Sequence, residues 1–231
     1  MDGLNGVSDL VFSPDGRLLA SAGEGNIVTL WNVETGTEEA RLTGMRWPVQ
    51  CVAFSPDGRL VATGGGAVDN RPDADGEVKV WDVADRSELR TLTGPTRAVL
   101  TLAFSPDGAR LAAGGLDETI HLWDVGSGRR SLVLGGLTDC VQSLAFSRNG
   151  RLLAWSGRRD GLVSLHDATT GAEVLRLIGH AGVVRSIAFA PGGRSLATGG
   201  ADRTVKLWNL PVEDSLVSLP AMPAGGTLGG P

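Results

Sequence analysis

The five phenylalanines of this chain constrain its fold more than any other feature. They stand at positions 12, 54, 104, 146 and 189, spaced by 42, 50, 42 and 43 residues. The phrase Phe12-Ser13-Pro14-Asp15-Gly16 recurs intact at Phe54–Gly58 and Phe104–Gly108. It returns altered as Phe146-Ser147-Arg148-Asn149-Gly150 and as Phe189-Ala190-Pro191-Gly192-Gly193. A fixed period of this length means one supersecondary unit copied in tandem. Residues that recur with the period are therefore structural, and function is sought where the copies differ.

The third copy shows what one unit is. Val99-Leu100-Thr101-Leu102-Ala103-Phe104 is a strand-length apolar run, stopped by Ser105-Pro106-Asp107-Gly108. Proline presets φ for the first central turn position, and glycine accepts the left-handed position that closes the hairpin. Arg110–Gly114 reads as a second strand, Thr119–Val125 as a third and Arg129–Leu134 as a fourth. Each unit is thus a four-stranded antiparallel meander. Its inner strands, such as Ile27-Val28-Thr29-Leu30-Trp31, are nearly continuous apolar runs. Such runs suit sheets covered on both faces, and stacking each small sheet on its neighbours provides that cover. Radial repetition of four-stranded sheets predicts an all-β β-propeller of five blades.

The third strands end in Trp31-Asn32, Trp81-Asp82, Trp123-Asp124, His166-Asp167 and Trp208-Asn209. In this respect the chain resembles the WD-repeat propeller family, over residue 6 to about residue 219. That resemblance implies a hydrogen-bonded network of a Gly-His histidine, a second-strand Ser or Thr, a turn aspartate and the tryptophan. The fifth unit matches fully, with His180, Thr198, Asp202 and Trp208. Asp75, Asp117 and Asp160 hold the turn position elsewhere, and Gly25 replaces it in the first unit. The Gly-His slot reads Gly44-Met45, Gly94-Pro95 and Gly136-Leu137 in the middle units. Those blades lose the histidine network and rely on packing. His121 and His166 read as packing substitutions.

The propeller domain is expected over 1–219, with blades at about 6–44, 45–94, 95–136, 137–179 and 180–219. The last unit draws its fourth strand from Asp214–Leu219, and no strand exchange between chain ends is evident. The Pro/Gly-rich residues 220–231 read as a flexible tail. Most members of the resembled family have about seven blades. Packing faces made for that number do not easily close at five, so an open arc is favoured over a closed ring. An open arc exposes two apolar blade faces and predicts self-association.

Charge and cysteine content exclude several classes of function. The net charge of −5 opposes general nucleic-acid binding, which needs a basic surface. No apolar run approaches the roughly 20 residues of a membrane span, and Met-Asp-Gly-Leu-Asn does not open a signal peptide. Cys51 and Cys140 lack metal-site companions and read as buried free thiols, which fits a reducing cytoplasm. The excess of arginine over lysine and the 34 glycines hint at a bacterial source.

Catalytic signals are absent: no GxSxG, P-loop or HExxH pattern occurs, and no cofactor or metal is expected. The second unit carries a long acidic loop, Gly65–Gly76. Its Asp73-Ala74-Asp75-Gly76-Glu77 segment resembles part of a calcium loop, but Arg71 stands where an aspartate is required and the terminal glutamate is missing. The loops entering the first strands and those joining second to third strands share one rim. That rim gathers Arg46, Trp47, Arg97, Leu116, Arg158, Arg159 and Arg185 in an acidic protein. Tryptophan and arginine are enriched in interface hot spots. The alternative is that Trp47 packs on Pro48 or Met45 and the arginines merely solubilise. The resulting expectation is a non-catalytic scaffold whose rim takes protein or peptide partners, acidic or phosphorylated ones above all. A sugar- or calcium-binding propeller ranks second, because such a protein would repeat its ligand residues in each blade.

Overall fold

A computed structural model describes residues 6–23, 25–68, 75–159, 161–211 and 227–229. All regular structure among them is β. The first sheet comprises β1 (Val7–Phe12), β2 (Leu18–Gly23), β3 (Ile27–Asn32) and β4 (Glu38–Thr43). The second comprises β5 (Val49–Phe54), β6 (Leu60–Gly65), β7 (Glu77–Asp82) and β8 (Ser87–Leu92). The third holds β9 (Val99–Phe104), β10 (Arg110–Gly115), β11 (Ile120–Asp124) and β12 (Arg130–Leu134). The fourth holds β13 (Ser143–Phe146), β14 (Leu152–Ser156), β15 (Leu162–Asp167) and β16 (Glu173–Ile178). The fifth has β17 (Val184–Phe189), β18 (Ser195–Gly200) and β19 (Val205–Asn209). Within each sheet these strands pair antiparallel in chain order.

The C-terminal end is described in part and differs from expectation at one place. The fifth sheet has three described strands, and the expected fourth, Asp214–Leu219, lies outside the described residues. Within the segment read as a flexible tail, β20 (Thr227–Gly229) pairs parallel with β16, opposite Arg176, Leu177 and Ile178. The physical reason is the unpaired edge of β16, whose backbone groups accept any extended segment. The rest of that tail lies outside the described residues.

The repeated phrase folds into one turn used over again. Ser13 Oγ donates to Asp15 Oδ1 at 2.6 Å and accepts from Leu18 N at 2.9 Å, while Gly16 takes φ +72°. Ser55–Asp57 and Ser105–Asp107 repeat the side-chain bond, and Asn149 replaces the aspartate for Ser147. The fifth copy lacks both side chains and keeps only the backbone bonds, Ala190 N to Ser195 O and Gly193 N to Ala190 O, each 2.8 Å. Serine and aspartate therefore reinforce a turn that the backbone already makes.

Blades stack through their innermost strands in the order β1, β5, β9, β13, β17. Among the described residues β17 makes no comparable contact with β1, so the arc is open. Four apolar clusters fill the four junctions; one joins Val28, Leu30 and Leu42 of the first blade to Val52 and Phe54 of the second.

The tryptophans hold three positions, Trp47 being in the loop before β5. Trp31, Trp81, Trp123 and Trp208 end third strands, whereas Trp155 lies in the second strand β14. Trp155 is thus a further tryptophan, beside Trp47, outside the third-strand register.

Candidate functional site

The innermost strands begin on one rim and end at the repeated turns on the other. In four blades the innermost strand carries a bulge near its start, where one residue drops out of the ladder: Ser8, Gln50, Leu100 and Arg185. A bulge frees its residue from pairing and re-aims its side chain. Arg185 is exposed at this irregularity, inside β17 rather than in a loop.

A cleft opens on this rim at the second blade, beside the loop that leads to the third. Arg46 and Trp47, in the loop from β4 to β5, line this cleft of about 330 Å³ with Gly76, Glu77, Lys79 and Pro95. Arg46 is exposed and Trp47 half-buried. Arg46 N donates to Glu77 Oε2 at 2.7 Å, and Asn26 Nδ2 donates to the Arg46 carbonyl at 3.2 Å. Both backbone groups of Arg46 are therefore tied down beside Trp47. Gly76 lies against the Arg97 carbonyl, where a Cβ would overlap backbone. Arg97 Nη1 in turn donates to the Leu116 carbonyl at 3.3 Å. Arg46 and Trp47 thus line the cleft, and Arg97, bonded to Leu116, adjoins it across Gly76 and continues its lip.

Beneath the lip is an ionic cluster that was not legible in the sequence, with Lys79 and Glu77 buried and Glu88 at the surface. Lys79 Nζ lies 3.5 Å from Glu77 Oε1 and 2.7 Å from Glu88 Oε2, and it donates to Thr91 Oγ1 at 2.9 Å. The Lys79 hydrogen bond holds the Glu88 carboxyl below its ordinary range. The available signal was a lysine inside the otherwise apolar strand Val78-Lys79-Val80-Trp81.

The remaining arginines stand apart from this lip. Arg158 and Arg159 are exposed in the loop from β14 to β15. Arg159 N donates to Asp139 Oδ2 at 2.5 Å, and its Nε lies 3.8 Å from Asp139 Oδ1. Asp139 is almost wholly buried, so Arg159 also serves to neutralise a carboxylate. Arg185 belongs to the fifth blade. Cys51 is buried with its thiol pKa pushed up by desolvation, whereas Cys140 is only half-buried, which corrects the expectation for the second thiol.

The corners of the blades are held in three different ways. In the fifth, Trp208 Nε1 donates to Thr198 Oγ1 at 2.9 Å. Thr198 reaches His180 Nε2 at 2.7 Å, and His180 Nδ1 reaches Asp202 at 2.9 Å. Asp202 also accepts from Ala181 N at 3.1 Å. Desolvation opposes the charge on Asp202, but bonds from Thr204, Ala181 and His180 outweigh it and hold the carboxyl far below its ordinary range. In the third blade Asp117 takes the same corner and accepts from Thr96 N at 2.9 Å. His121 lies 3.8 Å from Asp117 and stacks on Trp123, so it is more than a packing substitute.

The second blade departs from the expected pattern. Asp75 is exposed, and Glu77 caps the corner through Arg46 N, because the longer glutamate reaches from the strand itself. Met45 fills the histidine slot; Trp81 Nε1 donates to Thr63 Oγ1 at 2.9 Å, which donates to Met45 Sδ at 3.3 Å. A middle blade without histidine therefore keeps part of the network. Asp160 and residues 69–74 of the acidic loop lie outside the described residues.

The sequence matches the WD domain, G-beta repeat family over residues 3–32, 36–82, 86–124, 128–167 and 171–209. The chain belongs to the WD40 repeat family. A comparison with curated proteins gives no match. From the second onward, each WD40 match begins at the outer strand of one blade and ends at the third strand of the next. The sequence repeat is thus out of phase with the blade, and each unit is shared across a junction. WD40 repeats generally serve as non-catalytic scaffolds for protein–protein interaction.

Proposed function

We propose that this WD40 chain is a non-catalytic scaffold that docks an acidic or phosphorylated peptide on the lip formed by Arg46, Trp47, Arg97 and Leu116. The observation that carries the reading is the cleft beside Trp47, whose indole is half-buried while Arg46 beside it is exposed. A flat ring offers a large contact area with few rotors, and a guanidinium grips a carboxylate or phosphate through two parallel bonds. The backbone beside Trp47 is fixed by bonds from Asn26 and to Glu77, so little ordering cost remains on binding. Arg158, Arg159 and Arg185 extend the basic rim over the fourth and fifth blades and favour the approach of acidic partners. We place the protein in the cytoplasm, consistent with its unpaired thiols.

The test is affinity capture with wild-type protein against Trp47→Ala combined with Arg97→Glu. The double variant is expected to lose partners that the wild type retains, and treating the captured partners with phosphatase separates phosphate from carboxylate recognition. Unchanged partners would rule the lip out.

A further inference from the structure

The internal junctions draw on a common set of contacts, a turn contact and a strand hydrogen bond each found at three of the four, and each outer blade carries one half of it. At the turns, a Cβ at Gly58, Gly108 or Gly150 would lie 3.5, 3.6 or 3.5 Å from the Cδ of Pro14, Pro56 or Pro106 in the preceding blade. The proline of one turn therefore packs on the glycine of the next. Along the innermost strands, the residue three before each phenylalanine reaches the following blade. Asp9 accepts from Val52 N at 2.9 Å, Thr101 from Leu144 N at 3.2 Å and Ser143 from Ile187 N at 3.2 Å. At the junction of the second and third blades Cys51 Sγ lies 3.8 Å from the Val99 carbonyl instead.

The first blade keeps the receiving half of this set with nothing in it. A Cβ at Gly16 would meet no atom within 4 Å, and Leu10 N turns back to its own neighbour, Asp9 Oδ1, at 2.9 Å. Phe12 is 59% exposed, whereas Phe54 at the same position in the second blade is 8% exposed. The fifth blade keeps the giving half. Pro191 and Ser186 are exposed at the positions of Pro106 and Ser143. Val205 and Leu207 are 75% and 65% exposed, where Val78 and Val80 are 0%.

We infer that this chain associates head to tail with a second copy of itself, β1 of one copy packing on β17 to β19 of the next. Pro191 then meets Gly16, Ser186 accepts from Leu10 N, and Phe12 enters the apolar face formed by Val205 and Leu207. The second copy is the occupant because the contact continues a junction the chain makes four times, and both halves of it are present on one polypeptide. Such a contact is heterologous, so copies add in one sense until the assembly closes or extends. It leaves the Trp47 lip, on the second and third blades, uncovered.

Sedimentation velocity over a wide concentration range tests this. The mass is expected to rise from 23.9 kDa to at least twice that value as concentration increases. Phe12→Asp blocks the head and Leu207→Asp the tail, so each variant alone is expected to stay at the monomer mass. Mixed together they retain one good head and one good tail and should form a one-to-one dimer that grows no further. Both side chains are exposed, and circular dichroism checks that each variant folds; Val7→Asp and Val205→Asp serve as a second pair. A wild type that remains monomeric throughout overturns the inference, whether the blades close on themselves or await a different protein. A mixture that stays monomeric overturns it as well, as does association that survives either variant alone.

Discussion

Trp155 and His166 exchange places relative to their counterparts in the other four blades. Their ring centroids lie 6.4 Å apart on adjacent strands of the fourth blade. Elsewhere the third strand carries the tryptophan, and the position of Trp155 is held by Ser21, Thr63, Ala113 or Thr198. In blades one, two and five the indole N–H donates to that hydroxyl. In the fourth blade the large ring has moved to the second strand and the small polar ring to the third. The aromatic volume is conserved, but Trp155 Nε1 has no hydrogen-bond partner among the described residues.

Restoring the common order should therefore succeed only when both positions change. Trp155→Thr alone leaves a cavity and is expected to cost about 3 kcal/mol. His166→Trp alone overfills the same space, at about 2 kcal/mol. The double variant is expected to return to within about 1 kcal/mol of wild type, a coupling that urea denaturation of all four proteins reads directly.

Arg110 joins the third and fourth blades. It donates to the Ala168 carbonyl at 3.0 Å and to the Gly150 carbonyl at 2.6 Å, and its guanidinium lies 5.4 Å from the centre of the Phe146 ring. Arg110→Ala is expected to destabilise the protein by about 2 kcal/mol, through two charge-assisted bonds and a cation–π contact. Arg110→Lys should recover only part, since an ammonium cannot span both carbonyls in a rigid fork. Denaturant midpoints of the two variants check the order.

Acid should weaken the fold in two stages. Burial lowers the pKa of His166, so the unfolded chain takes up that proton first and stability begins to fall below about pH 6.5. Asp117 and Asp202 titrate below their ordinary range in the folded protein, because hydrogen bonds to their carboxylates outweigh desolvation. Their contribution is intact above about pH 4 and is lost as the pH falls towards the depressed folded values. Asp9 works the other way, since burial raises its pKa and protonation relieves that cost. Thermal melts from pH 8 to 3 are expected to show both stages, and His166→Asn should remove the upper one alone.

The fold was legible because it depends on residues that recur. The Phe-Ser-Pro-Asp-Gly turn and the tryptophans announce strands, hairpins and blades at once, whereas the blade number only favoured an open arc over a closed ring. The site was legible only in part. Arg46, Trp47 and Arg97 could be placed on one rim by counting back from each phenylalanine. Their connection could not, because it runs through Gly76 and Glu77, which follow an insertion that breaks the period. The bulge at Arg185 was hidden too, since a residue dropped from a ladder leaves no mark in an apolar run. His166 at the third-strand tryptophan position was legible in the sequence, but that Trp155 packs beside it on the adjacent strand emerges only from the strand pairing.

Lys79 couples the stability of the second blade to the proposed docking lip. Its ammonium lies between Glu77 and Glu88, and Glu77 also holds Arg46 N next to Trp47. Lys79→Met strands a buried carboxylate at Glu77 without a counter-charge. The expected cost is about 3 kcal/mol, with weaker capture of lip-binding partners because the Arg46–Trp47 backbone loses its anchor. Adding Glu77→Gln removes the unpaired charge while keeping an acceptor for Arg46 N. The double variant should therefore regain most of the stability and most of the capture. If stability returned while capture did not, the cleft's charge rather than its shape would be what partners read. Parallel urea melts and pull-downs on the two variants separate these effects.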